Sequence, residues 1–183
     1  MDDARVRRTR ERVFAAVRAL LADGSAEQLT VSRIAEVAGV ARKTVYAHWP
    51  SVPAIVADVL LAEHAVPDPV GPGDDVVEAV TAFLRGVREA FTDPAVRAAM
   101  AYLIATAPTD DMAAGALRSA AARRSADLAR IVGSEHAERL LIELTGPVFF
   151  SQFVMQTPAS DAVIETMAAR VAPGDTGAGG AAR

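Results

Sequence analysis

The chain has 183 residues, 51% hydrophobic and 23% charged, so it can bury a real core and is not a disordered chain. It has no cysteine, which excludes a disulfide framework, a thiol nucleophile and a cysteine-type zinc site and fits a reducing compartment. The net charge of −4 hides an asymmetry: residues 1–50 hold nine Arg or Lys against six Asp or Glu, and residues 51–183 hold ten against 17. A basic head on an acidic body is the pattern expected when one end alone meets phosphate. The opening MDDARVRRTRERVF lacks the apolar stretch of a signal peptide, and no run of about 18 apolar residues is present to cross a bilayer. A soluble, cytoplasmic protein with no membrane partner is expected.

The reading in chain order is helical throughout. Val6, Val13, Phe14, Val17, Leu20 and Leu21 form a helical stripe, with Arg5, Arg7, Arg8, Arg10 and Arg12 crowding its first turns and Asp23-Gly24 ending it. Thr30 is a natural N-cap for a short helix from Val31 to Val37. Ala38-Gly39-Val40 makes a tight turn, Ala41 to Ala47 a second short helix, and Pro50 breaks the pattern. Ser51 and Pro53 open a helix to about Ala65, and the Pro- and Gly-rich stretch 66–73 reads as a loop. Asp74 or Asp75 then caps a helix carrying Val76 to Phe91, and Asp93-Pro94 starts another that runs through Ile104. Two longer helices, Asp111 to Val132 and Glu135 to Gln156, precede a last one from Ser160 to Val171. The Gly-rich tail, 173–183, is predicted to be disordered. The expected fold is all-α, with about nine helices and three of them in the N-terminal domain.

Residues 30–49, TVSRIAEVAGVARKTVYAHW, concentrate the functional information. Two short helices joined by a turn containing glycine make a helix-turn-helix. Ile34, Ala35 and Val40 have the spacing to pack both helices against the first one, and Gly39 supplies the freedom the turn needs. The second helix then projects Ala41, Arg42, Lys43 and Thr44 from its leading turn, the part of a recognition helix that reaches base edges in the major groove. Trp49 reads as core, locking that helix to the one beginning at Ser51.

This segment resembles the DNA-binding domain of the TetR family of bacterial regulators. The elements that carry the resemblance are Thr30, Ile34-Ala35, Ala38-Gly39-Val40, Thr44-Val45-Tyr46 and His48-Trp49, followed by Pro50-Ser51, and the match spans about residues 8–60. The resemblance implies that Thr30, Thr44, Tyr46 and His48 contact the DNA backbone. Arg42 and Lys43 are the candidate base readers, because both donate to guanine O6 and N7, and Arg33 and Ala41 complete the DNA-binding set. Lys43 is the only lysine in the chain, and a direct base contact and a phosphate contact both stay open for it. The N-terminal arginines read as phosphate steering. The family usually has a lysine where this chain has Val52, so one cationic phosphate contact is missing and non-specific affinity should be lower and less salt-dependent.

Beyond residue 60 the resemblance is one of layout. It implies a homodimer on a palindromic, inverted-repeat operator in double-stranded DNA, with the last two long helices as the interface and a small-molecule effector bound in the helical remainder. Domain limits of 1–50 for DNA binding and 51–172 for effector binding and dimerisation follow. Leu140, Leu144, Val148, Phe149 and Phe153 are the candidate interface residues, and Leu141 and Val154 add to that apolar surface. Gly146-Pro147 should kink their helix. Candidate effector-lining residues are Phe83, Val87, Phe91, Met100, Tyr102, Leu103, Met112 and Phe150, each of which could equally be ordinary core. Tyr102 is the best polar handle, and the remainder suggest an apolar or aromatic effector. Spacing leaves open whether Phe150 and Phe153 face a partner or a pocket.

No catalytic constellation is visible. The three histidines are scattered without metal spacing, His64 and His136 read as surface residues, and Asp110-Asp111 reads as a helix cap. No enzyme activity, metal or cofactor is expected. The principal reading is a repressor released by its effector. The alternative is a constitutive helix-turn-helix repressor without a ligand, or one regulated by a protein partner.

Overall fold

A computed structural model of the chain describes residues 3–24, 29–62, 71, 75–135 and 137–172. His64, Asp74, His136, the tail 173–183 and all of the 66–73 segment except Gly71 lie outside the described residues. Among the described residues there are nine α-helices and no strand, the all-helical class expected: α1 (Asp3–Ala22), α2 (Val31–Ala38), α3 (Arg42–His48), α4 (Val52–Ala62), α5 (Val76–Ala90), α6 (Pro94–Thr106), α7 (Asp111–Val132), α8 (Ala137–Phe149) and α9 (Asp161–Ala168). A π-helical turn, Phe150–Val154, follows α8, and a 3-10 turn, Ala169–Val171, follows α9.

Local chemistry sets the helix starts. The Thr30 hydroxyl accepts from the Arg33 amide at 3.2 Å, and the Ser51 hydroxyl from the Ala54 amide at 3.3 Å. Asp93 Oδ1 accepts from the amides of Ala95 and Val96, and Asp110 Oδ1 from those of Met112 and Ala113. Each satisfies helix amides that have no intrahelical acceptor. Pro53 and Pro94 sit in the first turns of α4 and α6, where a missing N–H costs nothing.

The chain divides into two compact units. The first, Met1–His64 with Ala90–Ala121, is built on the stripe Val13, Ala16, Val17, Leu20 and Leu21 of α1. Ile34, Ala35 and Ala38 of α2, Val45 of α3, and Ile55, Val56 and Val59 of α4 close over it, and α6 adds Ala99 and Leu103. Full burial of each large aliphatic side chain contributes about 1.5–3 kcal/mol before chain entropy is subtracted. In the second unit, Ala65–Glu89 with Ala122–Arg183, α5 is tied to the start of α9: Arg88 donates to Asp161 at 2.8 Å and to the Ala159 carbonyl at 3.1 Å, and Arg85 lies 3.6 Å from Glu165.

Where sequence periodicity expects one α-helix from Glu135 to Gln156, α8 ends at Phe149 and the backbone widens into the π turn, with the Met155 amide donating to the Phe150 carbonyl at 3.0 Å. Pro147 inside α8 has no amide to donate to the carbonyl four residues earlier, and the ladder downstream resumes with five-residue spacing.

Gly39 has φ 60° and ψ 42°, and its amide and that of Val40 donate back to the carbonyls of Glu36 and Ala35, closing α2 with a left-handed residue. An added Cβ would lie 2.6 Å from the Arg12 guanidinium, which donates to the Gly39 carbonyl at 2.9 Å. Gly39→Ala should therefore lower stability by about 1–2 kcal/mol, read as an earlier urea midpoint by circular dichroism. Asp93 makes a second prediction, because it also pairs with Arg18 of α1. Burial pushes its carboxyl up, but the Ala95 amide and the Arg18 guanidinium more than offset this and hold it below the usual carboxylate range. A carboxyl with a lowered folded pKa contributes in full above the unfolded value, about 4, and loses that contribution as pH falls through the folded value. Asp93→Asn keeps a capping oxygen and removes the charge. Its stability deficit, on the order of 1 kcal/mol at pH 7, should shrink towards zero in denaturation series taken below pH 4.

Candidate nucleic-acid interface

A seven-residue helix does not hold itself together in water, so α3 depends on what it is seated on. Val45 is its buried residue, with no exposed surface, and Trp49 at its C-terminal end is 3% exposed. The Trp49 indole donates to Asp58 of α4 at 3.0 Å and lies 6.0 Å from the Phe14 ring of α1, measured between centroids. Arg10 donates to the same Asp58 oxygen at 3.0 Å, its guanidinium over both rings at 5.6 and 5.9 Å. Trp49 thus ties α3 to the two helices on either side of it.

The other face of α3 is open. Ala41, Arg42, Lys43, Tyr46 and His48 are exposed and Thr44 is half-buried. The Arg42 and Lys43 side chains form no hydrogen bond or ion pair with any described residue. Tyr46 is 59% exposed, a large ring and hydroxyl left in solvent. The leading turn is built against its own stability. Ala41 gives no side-chain cap, which costs about 1 kcal/mol relative to Ser or Asp, and no acidic residue follows it. Two cations instead stand at the positive end of the helix dipole, so a field that attracts anions is concentrated where the backbone is least obstructed.

Thr30 is exposed, and because its oxygen accepts from the Arg33 amide, its hydroxyl proton is left to donate. Arg33 is also exposed and pairs with Glu36 at 2.9 Å, an exposed contact worth little and readily exchanged for phosphate. The N-terminal arginines divide. Arg5, Arg7 and Arg8 stay in solvent, with Arg7 in a loose pair to Glu11 at 3.8 Å. Arg10 and Arg12 instead hold α1 to α4 and to the end of α2. Sequence reasoning missed these two roles and that of Asp58, since a pairing across 48 residues leaves no periodic trace. Val52 is half-buried against the first unit's core.

The remaining candidate residues fall on both units. Phe91, Met100, Tyr102, Leu103 and Met112 belong to the first, and Phe83, Val87 and Phe150 to the second. Phe83, Val87, Phe91 and Leu103 are buried, Met100 and Tyr102 half-buried, and Met112 and Phe150 exposed. Burial and the nearby Asp110 carboxylate push the Tyr102 hydroxyl up, so it stays a hydrogen-bond donor. Leu144 and Val148 are buried within the chain, Leu140, Phe149 and Phe153 half-buried, and Ile142, Phe150, Val154 and Met155 exposed. No group of three or more His, Asp or Glu able to hold a metal occurs among the described residues, and no single helix among them is long and apolar enough to cross a membrane.

Residues 13–59 match the family model for bacterial regulatory proteins of the tetR family. No curated protein matches the chain. Among solved structures, the TetR family transcription regulator SCO0332 is 29% identical with a TM-score of 0.68, covering 89% of this chain and 96% of that one. A transcriptional regulator from Streptomyces coelicolor A3(2), SCO7518, shares the fold at 20% identity and a TM-score of 0.63, covering 89% and 97%. GusR of Salmonella enterica does so at 19% and 0.62, covering 89% and 94%. The matched segment contains the seated, outward-facing α3, and the likeness to SCO0332 covers most of the chain, so the chain is similar to the TetR family transcription regulators, which are DNA-binding proteins rather than enzymes.

Proposed function

We propose that this regulator is a cytoplasmic repressor that binds an inverted-repeat operator as a homodimer and is released by a small, largely apolar effector. The observation that carries the DNA-binding half of this reading is the leading turn of α3, uncapped, exposed and bearing two cations that have no side-chain partner among the described residues, on a buried seat. Arg42 and Lys43 read bases, and Thr30, Arg33, Thr44, Tyr46 and His48 grip the phosphates, with Ala41 small enough for close approach. DNA contact is assigned to residues 1–50, and sensing and pairing to 51–172. The pairing face is supported by the row of exposed apolar residues on α8 and its π turn, Ile142, Phe150, Val154 and Met155, flanked by Leu140, Phe149 and Phe153. Leu144 and Val148 pack beneath it. An exposed apolar patch of this kind is expensive to leave in water. Effector contact is assigned to the aromatic and methionine residues of α5 to α7, with Tyr102 as a donor.

Lys43→Ala should relax base preference by about 1–3 kcal/mol at one position of each half-site, and Tyr46→Phe should weaken every duplex alike by about 1 kcal/mol. Fluorescence anisotropy against an operator selected from genomic fragments, and against a scrambled duplex, measures both. Wild-type behaviour of both variants would overturn the placement of the recognition surface. Phe150→Asp should sediment as a monomer in analytical ultracentrifugation and lose operator affinity, whereas an unchanged dimer would remove α8 and the π turn from the interface.

A further inference from the structure

Two arginines of α1 hold the helix-turn-helix at its two ends. Arg10 reaches the Asp58 oxygen that also holds Trp49, at the far end of α3. Arg12, two residues on, leaves α1 on a nearly opposite side. Its Nη2 donates at 2.9 Å to the carbonyl of Gly39, in the turn that leads into α3. Among the described residues the Arg12 side chain makes no other hydrogen bond or ion pair, and that carbonyl accepts from no other group.

Three further observations single this contact out. α2 has no basic residue in its own last turn, so Arg12 is the cation at the negative end of that helix. Gly39 has φ 60°, and a Cβ there would lie 2.6 Å from Arg12 Nη2, so glycine is what leaves room for the guanidinium. α3 begins on Ala41 without a side-chain cap, so no side chain at its own start fixes the direction in which it leaves the turn. The contact borders an open groove lined by Arg12, Ala15, Ala16, Val37, Ala38 and Gly39. Water therefore reaches it, and its contribution to global stability is small. Its leverage is on direction. Hydrogen bonding to a base edge needs side chains held to within about 0.5 Å, whereas attraction to phosphate falls off gradually with distance.

We infer that Arg12 is a positioning residue for sequence readout: its hold on the Gly39 carbonyl aims the leading turn of α3, so that Arg42 and Lys43 meet base edges in register. The inference rests on the recognition surface proposed above. It gives Arg12 a part in the preference for one sequence over another, and not in the grip on phosphate.

The test is anisotropy of the full chain on the selected operator and on the scrambled duplex, over a salt series, with thermal unfolding alongside. Arg12→Met should weaken operator binding about tenfold, the loss of one hydrogen bond to a charged group, and scrambled-duplex binding less than about twofold. The slope of affinity against salt should stay as in the wild type, and the unfolding midpoint should fall by no more than about 2–4 °C. Arg12→Lys, which keeps the charge and a donor, should recover part of the preference. Gly39→Ala displaces the guanidinium, so Arg12→Met added to it should cost no further preference, because both changes break one contact. Equal weakening on both duplexes with a slope lower by about 0.9 would make Arg12 a phosphate contact. A lower midpoint with an unchanged ratio of affinities would make it merely structural. Either result, additive losses in the double variant, or no recovery with lysine overturns the inference. Lys43→Ala and Tyr46→Phe in the same series separate it from the reading it rests on. If they respond and Arg12→Met does not, this inference alone falls; if both bind as wild type, the recognition surface falls and takes the inference with it.

Discussion

The seating of α3 centres on one oxygen atom of Asp58. It accepts from the Trp49 indole and from the Arg10 guanidinium, and so joins the end of α3, the middle of α1 and the body of α4 in a single partly exposed knot. A helix of seven residues has little stability to spend, and the first turn of α3 is given over to cations and an uncapped start. The anchoring is concentrated instead at its far end, where Val45 and Trp49 are buried. Local propensity and global fold conflict in that leading turn, and such conflicts collect at functional sites.

The parts of this arrangement that are legible in sequence are those written within a few residues. Thr30 before an apolar run, Ala38-Gly39-Val40 as a helix stop, and the stripe from Val13 to Leu21 each state a local physical requirement, and the structure meets all three. Prolines at 53 and 94 mark helix starts for the same reason. What is not legible comes from distance or from accumulated backbone geometry. The pairing of Arg10 with Asp58, of Arg12 with the Gly39 carbonyl, and of Arg18 with Asp93 each joins residues far apart in the chain, and an arginine-rich helix does not announce which of its members point inward. The π turn after α8 was hidden because apolar periodicity continues through it, while the hydrogen-bond spacing changes beneath.

The candidate interface and effector residues show a further limit of periodicity. Leu144 and Val148 have the same spacing as Phe149 and Phe153, yet the first pair is buried in the chain's own fold and the second is only half so. A helix with apolar residues on more than one face gives no sign in sequence alone of which face turns inward.

Lys43 is the single lysine of the chain and stands exposed on α3, while every other cationic side chain apart from the histidines is a guanidinium. Reagents and enzymes that acylate primary amines therefore meet one side-chain target, and it lies on the surface that α3 turns outward. Acylation there abolishes one positive charge and adds bulk while leaving the arginines intact. The composition of this protein has thereby turned ordinary amine chemistry into a site-selective reporter of whether that helix is covered.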